Sequence, residues 1–337
     1  MLADDIAARI GTDDDALYCG AYSALSRQIA QAQRFDFAAE VMRSALTIAN
    51  SAIGPQLRAL TLCRLPFPAC WFEWPAGFSG LASTRKDLYA PTPKRMGCLV
   101  MTDPSLQRGS ISYAWSHSRG DLRGDEEPGF GLVNICPLLV TFDWRAEGNR
   151  PVADITNGVK QFQAADDAAW AAMARDFPRV RLSDRDDVIA DQQRFGLVVS
   201  PLMQKFTNRC VDAGCHEIVM KAALKDLEGE APMLRAAVML LNSRNLAVTE
   251  WKPVPAKLNK ARVARGKRPL LDYTHVGIHL TRALAARAGE AHDPRHPTRL
   301  HLVRGHFKIR RSGVFWWAPF ARGQGVVPLN QTRQVGV

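Results

Sequence analysis

Residues 97–115, GCLVMTDPSLQRGSISYAW, decide the fold. Two extended runs, 97–102 and 111–115, carry the β-branched and aromatic residues that suit a pleated surface, and Pro104 and Gly109 cut the chain between them. The same grammar recurs on both sides, at 59–67, 71–74 and 132–142. Short strands punctuated by turn residues, without intervening helices, predict an antiparallel, partly barrel-like sheet rather than repeated βαβ units. Pro66, Pro68 and Pro75 enclose residues 70–74, which predicts an edge strand there, with Glu73 among aromatics as a candidate tuned carboxylate. Residues 116–129 alternate charge with glycine and read as a loop.

Toward the N-terminus, residues 23–50 place Leu25, Ile29, Ala38, Val41, Met42, Ala45 and Ala49 at helical spacing. One helix or two is expected, with a bend at Arg34-Phe35-Asp36. Toward the C-terminus, 154–178 is alanine-rich and helical, and acidic 183–187 opens another helix. Ser200-Pro201 is a helix start and Gly214 a helix end. A further helix is expected over 216–228, and Pro232 opens one over 233–241. Composition divides the chain at 1–55 (helical), 56–150 (β-rich), 151–245 (helical) and 246–337 (basic, ending in a hairpin). The expected class is α+β: sheet, helical layer and a C-terminal basic β-hairpin that rejoins the sheet.

At 47% hydrophobic and 23% charged, the 337 residues have the composition of a globular protein able to bury a substantial core. The longest apolar run, 131–142, is broken by Asn134 and Pro137 and is too short for a membrane span. The acidic start MLADDIAARIGTDDD has neither the basic beginning nor the apolar centre of a signal peptide, so a bacterial cytoplasmic setting is expected. The seven cysteines form no CxxC pair, and the 210/215/216 grouping of Cys, Cys and His lacks zinc-knuckle spacing. No metal and no cofactor are expected. Gly266-Lys267 fails as a phosphate loop, because Arg268 replaces the required hydroxyl residue and no glycine stands five residues earlier.

Charge is the informative property. Residues 251–337 hold 17 Lys+Arg against 3 Asp+Glu, a balance of +14 within a chain whose total is +11. Such polarity is the footprint of a polyanion partner, nucleic acid first. Residues 302–311 alternate small or apolar Val303, Gly305, Phe307 and Ile309 with basic Arg304, His306, Lys308 and Arg310, and Arg311 follows. If Ser312-Gly313 is the turn, Lys308 faces Trp317 and Arg310 faces Phe315 on an outer surface, and Phe307 and Ile309 line the inner one. Cations interleaved with flat rings hold phosphates and stack on bases. The connector 257–269 adds Arg262, Arg265, Lys267 and Arg268 as a second phosphate contact.

Two other patterns carry chemistry. Glu250-Trp251-Lys252 sets a carboxylate and an amine on one strand face, and His275 and His279 share a face of the 270–280 alternation. The chain also resembles a family of uncharacterised bacteriophage and prophage proteins. The resemblance rests on 258–262 (LNKAR), 266–270 (GKRPL), 301–306 (HLVRGH), Trp317 and Arg322-Gly323. It implies a mobile-element setting and no mechanism. The leading expectation is a phage protein binding single-stranded nucleic acid or RNA. The rivals are a nuclease, using His301 or His306 with Arg304 or Lys308, or using Glu250 and Lys252, and a host-takeover or anti-defence protein that binds an acidic protein.

Overall fold

A computed structural model describes residues 1–12, 16, 18–50, 53–76, 93–117, 133–145, 194–244, 247–278, 301–303, 306–317 and 320–322. The expected helices at 154–178 and 183–187, residues 118–129 of the loop expected at 116–129, and Arg304 and His279 lie outside these residues, while Ser116 and His117 belong to a strand instead of that loop.

The strand pattern of 97–115 is realised as β3 (Pro93–Thr102) and β4 (Arg108–His117), joined antiparallel. Gly109 is needed where the two meet, because a Cβ there would lie 1.9 Å from the Met101 carbonyl oxygen. On one side β5 (Val133–Asp143) and β6 (Phe195–Val199) continue the antiparallel run. On the other side lies β2 (Ala69–Pro75), buried in the sheet and not the expected edge strand. Its prolines flank the strand and so remove few ladder bonds from it.

Beyond β2 the pattern changes. The stretch expected as a bend is a strand, β1 (Gln33–Phe37), parallel to both β2 and β8 (Tyr273–Ile278), and β7 (Ala247–Lys252) closes the order β6-β5-β4-β3-β2-β1-β8-β7. The sheet is therefore mixed and open; it does not close into a barrel. Parallel neighbours require crossovers, and the helices at Ala39–Ala49 and Ile53–Leu60 supply the one from β1 to β2.

Two helical layers cover the sheet. On one face pack α3 (Ala39–Ala49), α4 (Ile53–Leu60) and the long α6 (His216–Leu241), with Phe37, Phe72, Trp74, Cys98, Tyr113 and Leu138 from the strands. On the other, α1 (Leu2–Ala8) and α2 (Ala21–Gln31) cover Trp71, Leu99, Ala114 and Ile135. Gly97 allows α1 to settle, since a Cβ there would meet the Trp71 ring at 2.6 Å and Leu2 at 3.0 Å. Pro201–Met203 forms a 3-10 turn into α5 (Gln204–Asp212), and Gly214, at φ +70°, ends it as expected.

Two further expectations fail for one reason. Residues 59–67 are no strand: Leu57, Ala59, Leu60 and Cys63 are buried at helical spacing through the end of α4. Nor does Pro232 separate two helices, since it lies inside α6. A helical proline costs roughly 3 kcal/mol, and residues 233–240, buried without a break, outweigh it at about 1.5–3 kcal/mol per large apolar side chain. Tertiary burial overrides the local signal in both cases.

Candidate functional site

After the short β9 (His301–Val303), the C-terminal hairpin forms as β10 (His306–Arg310) and β11 (Gly313–Trp317), but as its own two-stranded sheet. It does not rejoin the large sheet as expected; it packs Phe307, Val314 and Trp316 into the core beside α4 and α6. The backbone N–H of Arg244, just beyond α6, donates to the Val314 carbonyl at 3.2 Å. Phe307 and Trp316 are direct cross-strand partners with ring centroids 4.8 Å apart.

The turn residues are Arg311 and Ser312, not Ser312 and Gly313. Positive φ falls on Gly313 (+128°), the first residue of the returning strand, so glycine follows the turn instead of occupying it. Lys308 is consequently opposite Phe315, and His306 opposite Trp317. Moving the turn by one residue changes each partner by two, which leaves every side chain on its original face, but Ile309, expected to line the inner face with Phe307, is 43% exposed. The expected cation–ring pairs survive as diagonals: the Lys308 Nζ is 5.0 Å from the Trp317 ring centroid, and the Arg310 Cζ is 5.7 Å from that of Phe315. Lys308, Arg310 and Arg311 are exposed, and Phe315 and Trp317 are half-buried. Among the described residues, no carboxylate forms an ion pair with any of these three cations. Arg244 adds a cation that sequence reading missed: a Cβ on Gly313 would come within 3.0 Å of its Nε.

The basic connector is α7 (Ala256–Ala264) with the turn after it, and no residue of the helix is buried. Asn259 clamps it through its amide to the Leu270 carbonyl (3.0 Å) and by accepting from the Leu270 N–H (2.8 Å). Arg262 Nε donates to the Arg268 carbonyl at 3.0 Å, and Arg265, Lys267 and Arg268 point to solvent. This segment joins β7 to β8 on the side of α1, where Arg262 acts electrostatically on Asp4. The hairpin belongs to the opposite layer, so the two basic segments do not share one face of the sheet.

On the α1 side, strand register assembles residues that sequence reading had treated singly. Glu250, His275, Asp36 and Glu73 are successive partners across β7, β8, β1 and β2. Glu73, 1% exposed, accepts the backbone N–H groups of Leu2 (3.0 Å) and Ala3 (3.3 Å) and the Trp71 indole N–H (2.9 Å). Its carboxylate thus caps α1 from the sheet, where helix-end donors favour an anion. Arg95 Nε donates to Glu73 at 2.9 Å, and its Nη2 donates to Asp36 at 2.6 Å. Burial works against the Arg95 charge, but the two carboxylates more than offset it and raise its pKa above the ordinary value. Asp36 Oδ2 in turn lies 3.2 Å from His275 Nδ1. At the open end Lys252 pairs with Glu250. Asp36 and Arg95 went unread in the sequence; the alternation of 33–37 was the available signal for Asp36, whereas nothing local marks Arg95.

At the third sequence grouping, burial pushes the Cys210 thiol up to about 11, with Cys215 beside it. Among the described residues, no three His, Cys, Asp or Glu side chains converge to hold a metal ion, and no helix is long and apolar enough to cross a membrane. The fold and these two polar arrays define a three-layer protein with an open mixed sheet. No protein-family model, no curated protein and no solved structure matches the chain.

Proposed function

We propose that this protein binds single-stranded nucleic acid, RNA in preference, through the outer face of the β10–β11 hairpin, in the setting of a phage or mobile element. The observation that carries this reading is the row of exposed Lys308, Arg310 and Arg311, unneutralised among the described residues and interleaved with the rings of Phe315 and Trp317. A cation left without a carboxylate partner keeps its charge available for phosphate, and a ring already beside a cation offers its flat side to an unpaired base. Arg304 and His306 extend the same alternation in sequence, and Arg244 lies at the turn. Arg262, Arg265, Lys267 and Arg268 serve as a second contact, which a flexible single strand reaches by passing round the molecule.

Binding of a labelled single-stranded oligonucleotide, titrated across salt concentration, tests the reading. Affinity is expected to fall steeply, with a log–log slope of about −0.7 per phosphate contacted. A flat dependence would remove phosphate contact as the source of affinity and overturn the proposal.

A further inference from the structure

The Asp36–His275 pair is not explained by the hairpin, nor by the capping of α1. Glu73 and Arg95 account for the buried half of the charged row; they hold α1 and each other. The remaining half faces outward. His275 is 36% exposed in its side chain and Asp36 is 17% exposed, and among the described residues Asp36 is the only hydrogen-bond partner of the imidazole. A carboxylate at Nδ1 fixes the tautomer: Nδ1 carries the proton and donates it, and Nε2 presents a lone pair. Asp36 is itself held by Arg95, and Arg95 by Glu73, so the ring's orientation is set by a chain of bonds ending in the core.

Around His275 the charges are mixed: Glu250 is its direct partner on β7 and is paired with Lys252. Lys252 and Tyr273 are paired residues on the neighbouring rungs of β7 and β8, on the same face as His275. The segment between those strands is the basic connector, with Arg265, Lys267 and Arg268 exposed. An activated imidazole lone pair and a cationic approach therefore lie on one side of the sheet.

We infer that the open face of β7, β8 and β1 is a ribonuclease site, in which His275 is the general base acting on an RNA phosphodiester and Asp36 is its positioning residue. The substrate class rests on the nucleic-acid reading above. Nε2 of His275 takes the proton of a ribose 2′-hydroxyl, and the 2′-oxygen attacks the adjacent phosphorus. The bond from phosphorus to the 5′-oxygen breaks, and the imidazolium returns the proton to that departing oxygen through a water. The products are a 2′,3′-cyclic phosphate and a 5′-hydroxyl, with no co-reactant consumed. Lys252, paired with Glu250 in the free protein, turns to the phosphorane as it gains negative charge.

The test uses the full chain, in chelator, on a ribodinucleoside monophosphate and on a labelled single-stranded RNA. Cleavage to cyclic-phosphate ends is expected, with none on the 2′-deoxy strand. His275→Gln should slow both reactions by about 100-fold or more while binding the 2′-deoxy strand as tightly as the unmodified protein. Asp36→Asn should lower kcat with little change in KM and shift the pH profile, a readout that a purely structural role would not move. Absence of cleavage on both substrates, or undiminished cleavage by His275→Gln, overturns the assignment. A long strand bound but uncut sinks this site and leaves the binding reading intact. A dinucleotide cut without binding of the long strand does the reverse.

Discussion

The terminal hairpin and the charged row across β7, β8, β1 and β2 are built from the same element, a strand whose alternate side chains are charged, yet they end in opposite electrostatic states. On the hairpin, Lys308 and Arg310 stand over rings and Arg311 is exposed at the turn, with no described carboxylate to answer them. Across the sheet, Arg95 lies between Asp36 and Glu73, and Lys252 pairs with Glu250. The difference follows from neighbours. A two-stranded ribbon offers each outer side chain partners on one side only, and here the nearest rings are Phe315 and Trp317. A central strand has partners on both sides, and the like charges that meet there, Asp36 and Glu73, are bridged by Arg95 from β3. The buried end of the row, Glu73 with Arg95, serves architecture; the hairpin cations are left for a ligand.

The largest effect is expected where the compensated array is broken. Glu73→Ala removes the acceptor for Leu2, Ala3, Trp71 and Arg95 at once. It should cost about 3–5 kcal/mol, as for a buried pair left with one member, read as a lower denaturant midpoint. Adjacent tryptophans on the hairpin divide its two roles. Trp316, 3% exposed, lies in the core, so Trp316→Ala should cost about 3–5 kcal/mol of stability. Trp317→Ala should instead cost about 1–3 kcal/mol of single-strand affinity, with the melting temperature close to that of the parent. If the two substitutions behave alike, the division of faces is wrong. A smaller effect is expected from Lys308→Ala or Arg310→Ala, each of which should reduce the salt slope by roughly 0.7 without altering the fold by circular dichroism.

A separate effect, read only by varying pH, concerns a third kind of charge, neither compensated nor offered to a ligand. Glu230, within α6, acts on Cys98 and Tyr113 of the sheet. Burial, with Asp226 adding to it, pushes its carboxyl up from 4.5 to about 8. The native state therefore keeps a proton between those values that the unfolded chain has released. Stability from this group is full below the lower value and is lost as pH rises through the window to about 8. Glu230→Gln should flatten that decline, checked by urea midpoints on either side of the window.

Much of this was legible in the chain. β3, β4 and β5 follow from extended runs cut by turn residues, and the end of α5 follows from Gly214. The facing of the hairpin follows from period-two alternation, which survived a misplaced turn because the partners moved by an even number, although Ile309 on the inner side is exposed. β1 was not legible as a strand, since five residues between two helices read as an interruption, although Gln33–Phe37 alternates. The continuity of α6 through Pro232 was likewise hidden, because local propensity opposed it and only the core could outvote it. Glu73, His275, Glu250 and Lys252 were each visible as chemistry, but as unrelated fragments.

The sequence by itself determined which side chains share a face, because alternation is a property of the strand alone. Only the tertiary structure decided which strands stand side by side. Pairing β1 with β8 joins residues 239 positions apart, and no local pattern encodes a register between segments so distant. That register, set by burial on both faces of the sheet, places Asp36 beside His275 and Arg95.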